Sequence, residues 1–163
     1  MSDAVRLLDA LARRGERVAT AESLTGGLLA AEIVAVPGAS NAFSGGVVAY
    51  STELKHSIVG VDADLLAERG AVDADVACQL ADRVRLVCAV DGRPADVGIA
   101  TTGVAGPDPQ DGHAPGTVFV GIASARGIRS VRLELGGDRE SIRRATVAAA
   151  LALALADFDS DAE

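Results

Sequence analysis

Residues 17–36 read RVATAESLTGGLLAAEIVAV, and this stretch decides the fold class. Its first five residues include β-branched Val and Thr, which is typical of a short strand. A polar turn with two glycines follows, and residues 28–36 form an apolar segment that predicts a helix ending at Pro37-Gly38. A strand that passes through a tight turn into a helix is the repeating unit of layered α/β domains.

The segments on either side alternate in the same way. Periodicity and capping residues predict further helices at residues 3–14, 52–59, 62–69 and 74–90, and one of about 17 residues that begins at Asp138. Further strands are predicted at residues 42–51, 96–101, 117–125 and 128–135, the last two as a hairpin. We therefore expect one three-layer α/β/α domain over residues 1–163, with a mixed, mostly parallel sheet and a frayed acidic tail from about residue 157.

Charge and hydropathy exclude several classes of function. The net charge of −8, with no basic stripe, argues against binding to nucleic acid or to an anionic membrane. No run approaches the roughly 20 apolar residues that span a bilayer, and the N-terminus lacks the apolar core of an export signal. We therefore expect a cytoplasmic protein.

The two cysteines are predicted to be free, buried thiols of a reducing compartment. Cys78 and Cys88 lie ten residues apart in one predicted helix, a separation of about 15 Å that no disulfide can bridge. The two histidines, His56 and His113, show no ligand-like spacing to the cysteines or to each other. We therefore expect no metal site.

Lys55 is the only lysine, whereas the other fourteen basic residues are arginine. Lysine can lose its proton when it is desolvated, and arginine cannot, so a position that retains lysine indicates a candidate general base. Tyr50 lies five residues earlier, and one interpretation is that it orients Lys55 or relays a proton. A solvated lysine and a packed tyrosine are the alternatives, and His56 is the competing base.

Ser23 lies in the turn AESLTGG, at the predicted junction of strand and helix. One interpretation is a helix N-cap. The other is a nucleophile at a helix N-terminus, where backbone N–H groups near Thr25, Gly26 and Gly27 hold a developing oxyanion. Both interpretations can hold together.

Two further segments fit an anionic ligand. The loop TTGVAGPDPQDGHAPGT (101–117) is either a surface loop or a set of backbone amides and Thr hydroxyls that contact an anion. Arg139 falls in the first turn of the last helix, where a cation is disfavoured, and a nearby phosphate would explain its presence. A chance surface arginine is the alternative.

Together these segments resemble the CinA C-terminal family over residues 4–156. The blocks that carry the resemblance are TAESLTGG (20–27), PGAS (37–40), FSGGVVAYSTELK (43–55), RGAVDADVA (69–77), IATTGVAGPD (99–108), GTVFVGIA (116–123) and GDRESIRR (137–144). Each block is weak alone, whereas their order and spacing together are specific. Leu24 departs from the family, since many members carry cysteine there, and we expect no counterpart of the pyrophosphatase domain that precedes this region in the larger members.

The resemblance implies an α/β/α fold, a homodimer and, in the amidase members, hydrolysis of nicotinamide mononucleotide to nicotinic acid mononucleotide and ammonia. No metal or redox cofactor is implied. The implied roles are Ser23 as nucleophile, Lys55 as base and Tyr50 as partner of the base. The other implied site residues are Thr25, Gly26, Gly27, Thr102, Gly103 and Gly106, with Arg139 as a phosphate contact.

Two other functions stay open from the sequence. One is a nucleotide-binding module that has kept the pocket and lost turnover. The other is an amidase that acts on a different small carboxamide.

Overall fold

The structure is a computed structural model that describes residues 1–159. The helices are α1 (Asp3–Arg14), α2 (Leu28–Val34), α3 (Thr52–Leu54), α4 (Ala63–Arg69), α5 (Ala74–Val87) and α6 (Arg139–Asp159). The strands are β1 (Val18–Glu22), β2 (Phe43–Val48), β3 (Val97–Gly103), β4 (Thr117–Ser124) and β5 (Gly127–Glu134). Their order along the chain is the predicted one.

The five strands form a single mixed sheet in the order β2-β1-β3-β4-β5. Strand β1 pairs in parallel with β2 on one side and with β3 on the other, beginning at Val18 opposite Val97. Strands β3, β4 and β5 pair antiparallel in succession, so β4 and β5 form the predicted hairpin. The carboxyl ends of the three parallel strands therefore lie at one edge, where α/β domains place their sites.

Apolar side chains on both faces of the sheet build the three layers. Helices α1, α2 and α6 cover one face, with Leu7, Leu29 and Ile142 fully buried there. Helices α4 and α5 cover the other face, with Leu80 and Val84 in its core. Every residue of β1 is buried, so helices cover both faces of this strand. The predicted α/β/α architecture is confirmed.

The acidic tail departs from its prediction. Helix α6 runs to Asp159, and Phe158 is buried with the Arg14 guanidinium 4.8 Å from the centre of its ring. Asp157 accepts a 2.7 Å hydrogen bond from Arg129 of β5. The prediction of a frayed tail from residue 157 is therefore wrong for residues 157–159, because these two contacts hold the last turn on the domain; its remainder, residues 160–163, lies outside the described residues.

Two other predictions have a different outcome in detail. The segment predicted as one helix at 52–59 is a single α-turn followed by a π-helical segment, Lys55–Val59. Cys78 and Cys88 are both free thiols, as expected, and both are half-buried rather than buried. Within residues 1–159 no helix combines the length and apolar character needed to cross a bilayer.

Candidate active site

Ser23 lies directly after the last residue of β1, at the edge where the parallel strands end. Its N–H donates to the Thr101 carbonyl of β3 at 3.0 Å, which continues the strand pairing by one residue. The side chain is largely buried, with 8% of the residue exposed. The sheet therefore fixes the backbone of Ser23, while its hydroxyl stays at the surface of a pocket.

Two glycines allow the chain to turn back immediately after Ser23. Gly26 has φ +56° and Gly27 has φ +99°, a region that side chains with a Cβ rarely enter. The Gly26 N–H donates to the Ser23 carbonyl at 3.1 Å and closes the turn. Of the three N–H groups expected to hold an oxyanion, that of Gly26 is therefore already used within the turn.

Glu22 caps α2 from the end of β1. Its carboxylate accepts the backbone N–H groups of Leu29 at 2.8 Å and Ala30 at 3.0 Å, and the residue is only 2% exposed. The N-cap position is Gly27, which has no side chain to do this. The sequence analysis missed this role because capping residues lie beside the helix that they cap.

Lys55 is the buried group beside Ser23. Its Nζ atom lies 2.8 Å from Ser23 Oγ, 2.8 Å from the Ala49 carbonyl and 3.2 Å from the Tyr50 carbonyl, and the residue is 1% exposed. A neutral amine has two N–H donors and one lone pair. If both donors engage the carbonyls, the lone pair is left for the Ser23 hydroxyl, the arrangement that a general base requires.

The strand pairing brings these two residues together across 32 positions of sequence. Ala49 N–H donates to the Glu22 carbonyl at 2.9 Å, so β2 and β1 stay side by side up to Ser23. Ser51 then caps α3 through the Leu54 N–H, and the π-helical segment begins at Lys55 itself. Single π-turns within helices are frequent at functional sites.

Burial lowers the pKa of Lys55 from 10.5 to about 8, and the Asp111 carboxylate opposes this by raising it. A protonated ammonium loses hydration when it is buried, and the neutral amine loses much less. The neutral form is therefore accessible near physiological pH.

His56, the competing base, points elsewhere. Its Nδ1 lies 2.7 Å from the Val61 carbonyl, so this ring nitrogen donates a proton rather than accepting one. Within residues 1–159 no three His, Cys, Asp or Glu side chains are grouped to hold a metal ion.

A pocket of about 400 Å³ opens in front of Ser23. Its lining includes Tyr50, Gly103, Gly106 and Arg139, together with the segment 107–110. The Arg139 guanidinium donates to the Gly106 carbonyl and, at 3.0 Å, to the Tyr50 hydroxyl. Tyr50 contacts Lys55 through its main-chain carbonyl, whereas its phenol hydroxyl accepts the hydrogen bond from Arg139.

The two threonines expected at the site have buried hydroxyls with partners elsewhere in the fold. Thr102 Oγ1 donates to the Ala71 carbonyl at 2.6 Å, which ties β3 to the segment between α4 and α5. Thr25 Oγ1 lies 2.8 Å from Thr101 Oγ1. Neither residue lines the pocket, whereas Gly103 and Gly106, also expected there, do.

Arg143 of α6 is a site neighbour that the sequence analysis did not single out. Its Nε donates to the Leu24 carbonyl at 3.0 Å and its Nη2 to the Thr25 carbonyl at 3.2 Å. More than a hundred residues separate Arg143 from that turn, and α6 carries other arginines close to it in sequence. No local sequence signal distinguishes it from a surface cation.

Known proteins match both the sequence and the geometry. A competence-damage inducible protein of Geobacillus kaustophilus is 47% identical over 139 residues, covering 85% of this chain and 32% of its own length. A CinA-like protein of Frankia casuarinae is 46% identical over 147 residues, covering 90% of this chain and 33% of its own length. The chain thus spans about a third of the length of the curated relatives it matches.

Solved structures share this fold over nearly the whole chain. A CinA superfamily protein of Klebsiella pneumoniae has a TM-score of 0.89 at 31% identity, covering 97% of this chain and 96% of that one. A CinA superfamily protein of Escherichia coli has a TM-score of 0.86 at 31% identity, covering 94% and 88%. The sequence profile of the CinA C-terminal domain matches residues 2–157. The chain therefore belongs to the CinA C-terminal domain family.

Proposed function

We propose that the chain hydrolyses the carboxamide of nicotinamide mononucleotide to nicotinic acid mononucleotide and ammonia. The observation that carries the proposal is the 2.8 Å contact between Lys55 Nζ and Ser23 Oγ, made by a lysine that is 1% exposed. A serine hydroxyl is a weak nucleophile until a base accepts its proton, and a desolvated lysine can be that base.

In the first step the neutral Lys55 amine accepts the Ser23 proton as Oγ attacks the amide carbon. The carbonyl oxygen becomes an oxyanion, held by backbone N–H groups of the turn after Ser23. Within the described residues, the N–H groups of Leu24 and Thr25 donate to no other protein atom, in contrast to that of Gly26. Of these two residues Leu24 lines the pocket, whereas Thr25 is fully buried. Such preorganised donors are among the largest contributions to acyl transfer.

In the second step the C–N bond breaks. The Lys55 ammonium returns its proton to the departing nitrogen, which leaves as ammonia, and Ser23 is left as an acyl ester. Water then attacks the ester, with Lys55 accepting a proton from the water and returning it to Ser23 Oγ. The carboxylic acid is released, and both residues regain their starting protonation states.

The pocket supports a nucleotide as the substrate. Arg139 lies at its rim, and its guanidinium is held by Gly106 and Tyr50. A guanidinium has five N–H donors, so these two contacts leave donors for a phosphate. Arg139 is also the first residue of α6, where the helix dipole favours an anion. We assign the 5′-phosphate to this rim and the carboxamide to Ser23.

The decisive experiment is incubation of purified protein with nicotinamide mononucleotide, with ammonia and nicotinic acid mononucleotide measured together. Ser23→Ala and Lys55→Arg are expected to abolish release of both products. His56→Gln is the matched control, because it removes the neighbouring candidate base while leaving Lys55 in place. Normal turnover by Lys55→Arg, or loss of turnover in His56→Gln alone, would contradict the assignment of the base.

The same assay separates the other functions. Binding of the nucleotide without ammonia release would indicate a nucleotide-binding module. A higher kcat/KM for a carboxamide without the phosphate would indicate an amidase with another substrate. We also propose, from family membership, that the protein is cytoplasmic and that its active species is a homodimer. Light scattering coupled to size-exclusion chromatography would test the oligomeric state.

A further inference from the structure

Arg143 holds the outer side of the turn that carries Ser23. Its guanidinium donates to two successive carbonyls, those of Leu24 and Thr25, at 3.0 and 3.2 Å. A third donor, Nη1, lies 3.0 Å from a Glu140 carboxylate oxygen. The side chain is 25% exposed. One rigid fork from α6 is therefore bonded to two adjacent peptide groups of the turn.

The contacts of Arg143 with these two carbonyls also fix the directions of neighbouring backbone N–H groups, because each peptide is planar. In a planar trans peptide, the C=O of one residue and the N–H of the next point to opposite sides. Because the Leu24 carbonyl faces Arg143, the Thr25 N–H points away from Arg143. Arg143 does not line the pocket in front of Ser23, whereas Leu24 does. The Thr25 N–H is thus directed away from α6, but Thr25 is fully buried and, unlike Leu24, does not line the pocket. The N–H that can reach the pocket is therefore that of Leu24. Its peptide is held at the Ser23 carbonyl by the Gly26 N–H, and the peptide that carries the Gly26 N–H is held at the Thr25 carbonyl by Arg143.

Gly26 is favoured by its backbone conformation, φ +56°, rather than by space. A Cβ built there would lie 3.5 Å from Arg143 Nη2, an ordinary van der Waals contact. The Gly26 N–H donates to the Ser23 carbonyl. The Ser23, Leu24 and Thr25 carbonyls are therefore all bonded, while the Leu24 and Thr25 N–H groups donate to nothing within residues 1–159.

We propose that Arg143 is a positioning residue, which fixes the turn after Ser23 so that the Leu24 N–H is presented to the oxyanion formed there. The proposal rests on the proposed hydrolase function. It assigns Arg143 no contact with the substrate and no share in proton transfer. Its effect is on the transition state, where negative charge develops on the carbonyl oxygen, rather than on ground-state binding.

The test compares Arg143→Met and Arg143→Lys with Arg144→Met. Arg144 is a matched control, because it also pairs with Glu140, at 2.8 Å, and its side chain is 71% exposed. For Arg143→Met we expect kcat to fall about 10- to 100-fold with KM for nicotinamide mononucleotide within about twofold, the effect of a misplaced donor. Arg143→Lys is expected to recover part of kcat, since an ammonium can donate to one of the two carbonyls.

A second measurement does not depend on activity. Hydrogen exchange at the backbone amides of residues 22–28, followed by mass spectrometry, should be faster in Arg143→Met than in wild type and unchanged in Arg144→Met. Equal kcat in Arg143→Met and Arg144→Met would overturn the proposal, as would a rise in KM with kcat intact. If the wild-type protein releases no ammonia, the proposed function fails, and unchanged exchange at the turn would then overturn the positioning role separately.

Discussion

The Arg139 guanidinium donates a 3.0 Å hydrogen bond to the Tyr50 hydroxyl and thereby joins the start of α6 to the loop after β2. The same guanidinium also holds the Gly106 carbonyl, in the loop after β3. Three segments that are distant in sequence thus meet at one cation on the rim of the pocket. Since Tyr50 is 58% exposed, its hydroxyl aligns Arg139 without being buried itself.

Tyr50→Phe should therefore weaken binding of the phosphate more than it slows the chemical step. Loss of one hydrogen bond to a charged but exposed group is worth about 1 kcal/mol, so KM for nicotinamide mononucleotide should rise about fivefold. The same substitution should leave kcat/KM for nicotinamide riboside, which lacks the phosphate, nearly unchanged. Steady-state kinetics on both substrates checks this. A fall in kcat comparable to that of Lys55→Arg would instead indicate that the phenol relays a proton.

Much of the fold followed from local sequence signals. Gly15 and Gly70 end α1 and α4 as helix-stop residues do, and Pro37-Gly38 follows α2 closely. Lys55 could be predicted as a site residue for a different reason. It is the single lysine in an arginine-rich chain, and only lysine can supply a neutral amine. The roles of Ser23 and Lys55 were implied by the family resemblance. Their contact depends on β1 and β2 being neighbours, which the sequence analysis did not predict.

The remaining features depend on tertiary contacts that have no local pattern. Phe158 extends α6 because it packs under Arg14, from the other end of the chain. Thr102 is buried against the Ala71 carbonyl, although its position beside the pocket loop favoured a role in binding. The π-turn at Lys55 differs from an α-turn by one shifted hydrogen bond, an energy difference too small for residue propensities to report.

Glu22→Gln should destabilise the protein. The carboxylate accepts two backbone N–H groups at the start of α2, and an amide side chain offers one acceptor and one donor in their place. One buried N–H would face a donor, at a cost of about 1–3 kcal/mol in the free energy of unfolding. Urea denaturation checks the loss. Glu32→Gln, on the exposed side of the same helix, is the control and should change stability by less than about 0.5 kcal/mol.

Asp111→Asn should shift the pH dependence of the reaction to lower pH. The Asp111 carboxylate raises the pKa of Lys55, so its removal moves that pKa further below 8 and increases the neutral fraction at pH 7. An exposed carboxylate such as Asp111 stabilises the protonated form of Lys55 by a few tenths of a kcal/mol, so kcat/KM at pH 7 should rise about twofold without it. The asparagine can still accept the Ala71 N–H that Asp111 binds.

The measurement is kcat/KM between pH 6 and pH 10, where the acid limb reports the free enzyme. Glu53→Gln removes an equal charge two residues from Lys55 in sequence and should leave the limb in place. If the acid limb of the kcat/KM profile stays at the same pH in Asp111→Asn, or moves to higher pH, then Lys55 is not the titrating base.

Lys55 should also make the stability of the folded protein depend on pH in a particular direction. Its pKa is about 8 in the folded state and near 10.5 in the unfolded chain. Between these values the unfolded chain holds a proton that the folded protein has lost, so raising the pH favours folding. Deprotonation of Lys55 therefore adds about 3 kcal/mol to the free energy of unfolding. This stabilisation is fully present above about pH 10.5 and is lost as the pH falls through 8.

Lys55→Met isolates this contribution, because methionine has a similar volume and does not titrate. The free energy of unfolding, measured by urea denaturation at pH 7, 8, 9 and 10, should rise with pH in wild type relative to Lys55→Met. Comparison at one pH is less informative, since methionine removes a buried charge but also leaves the Ala49 and Tyr50 carbonyls without their donor. Cys88, whose thiol pKa is raised by burial, titrates in both proteins and cancels. Parallel curves would mean that Lys55 keeps its ordinary pKa on folding, and the neutral amine that the mechanism needs would then be scarce at pH 7.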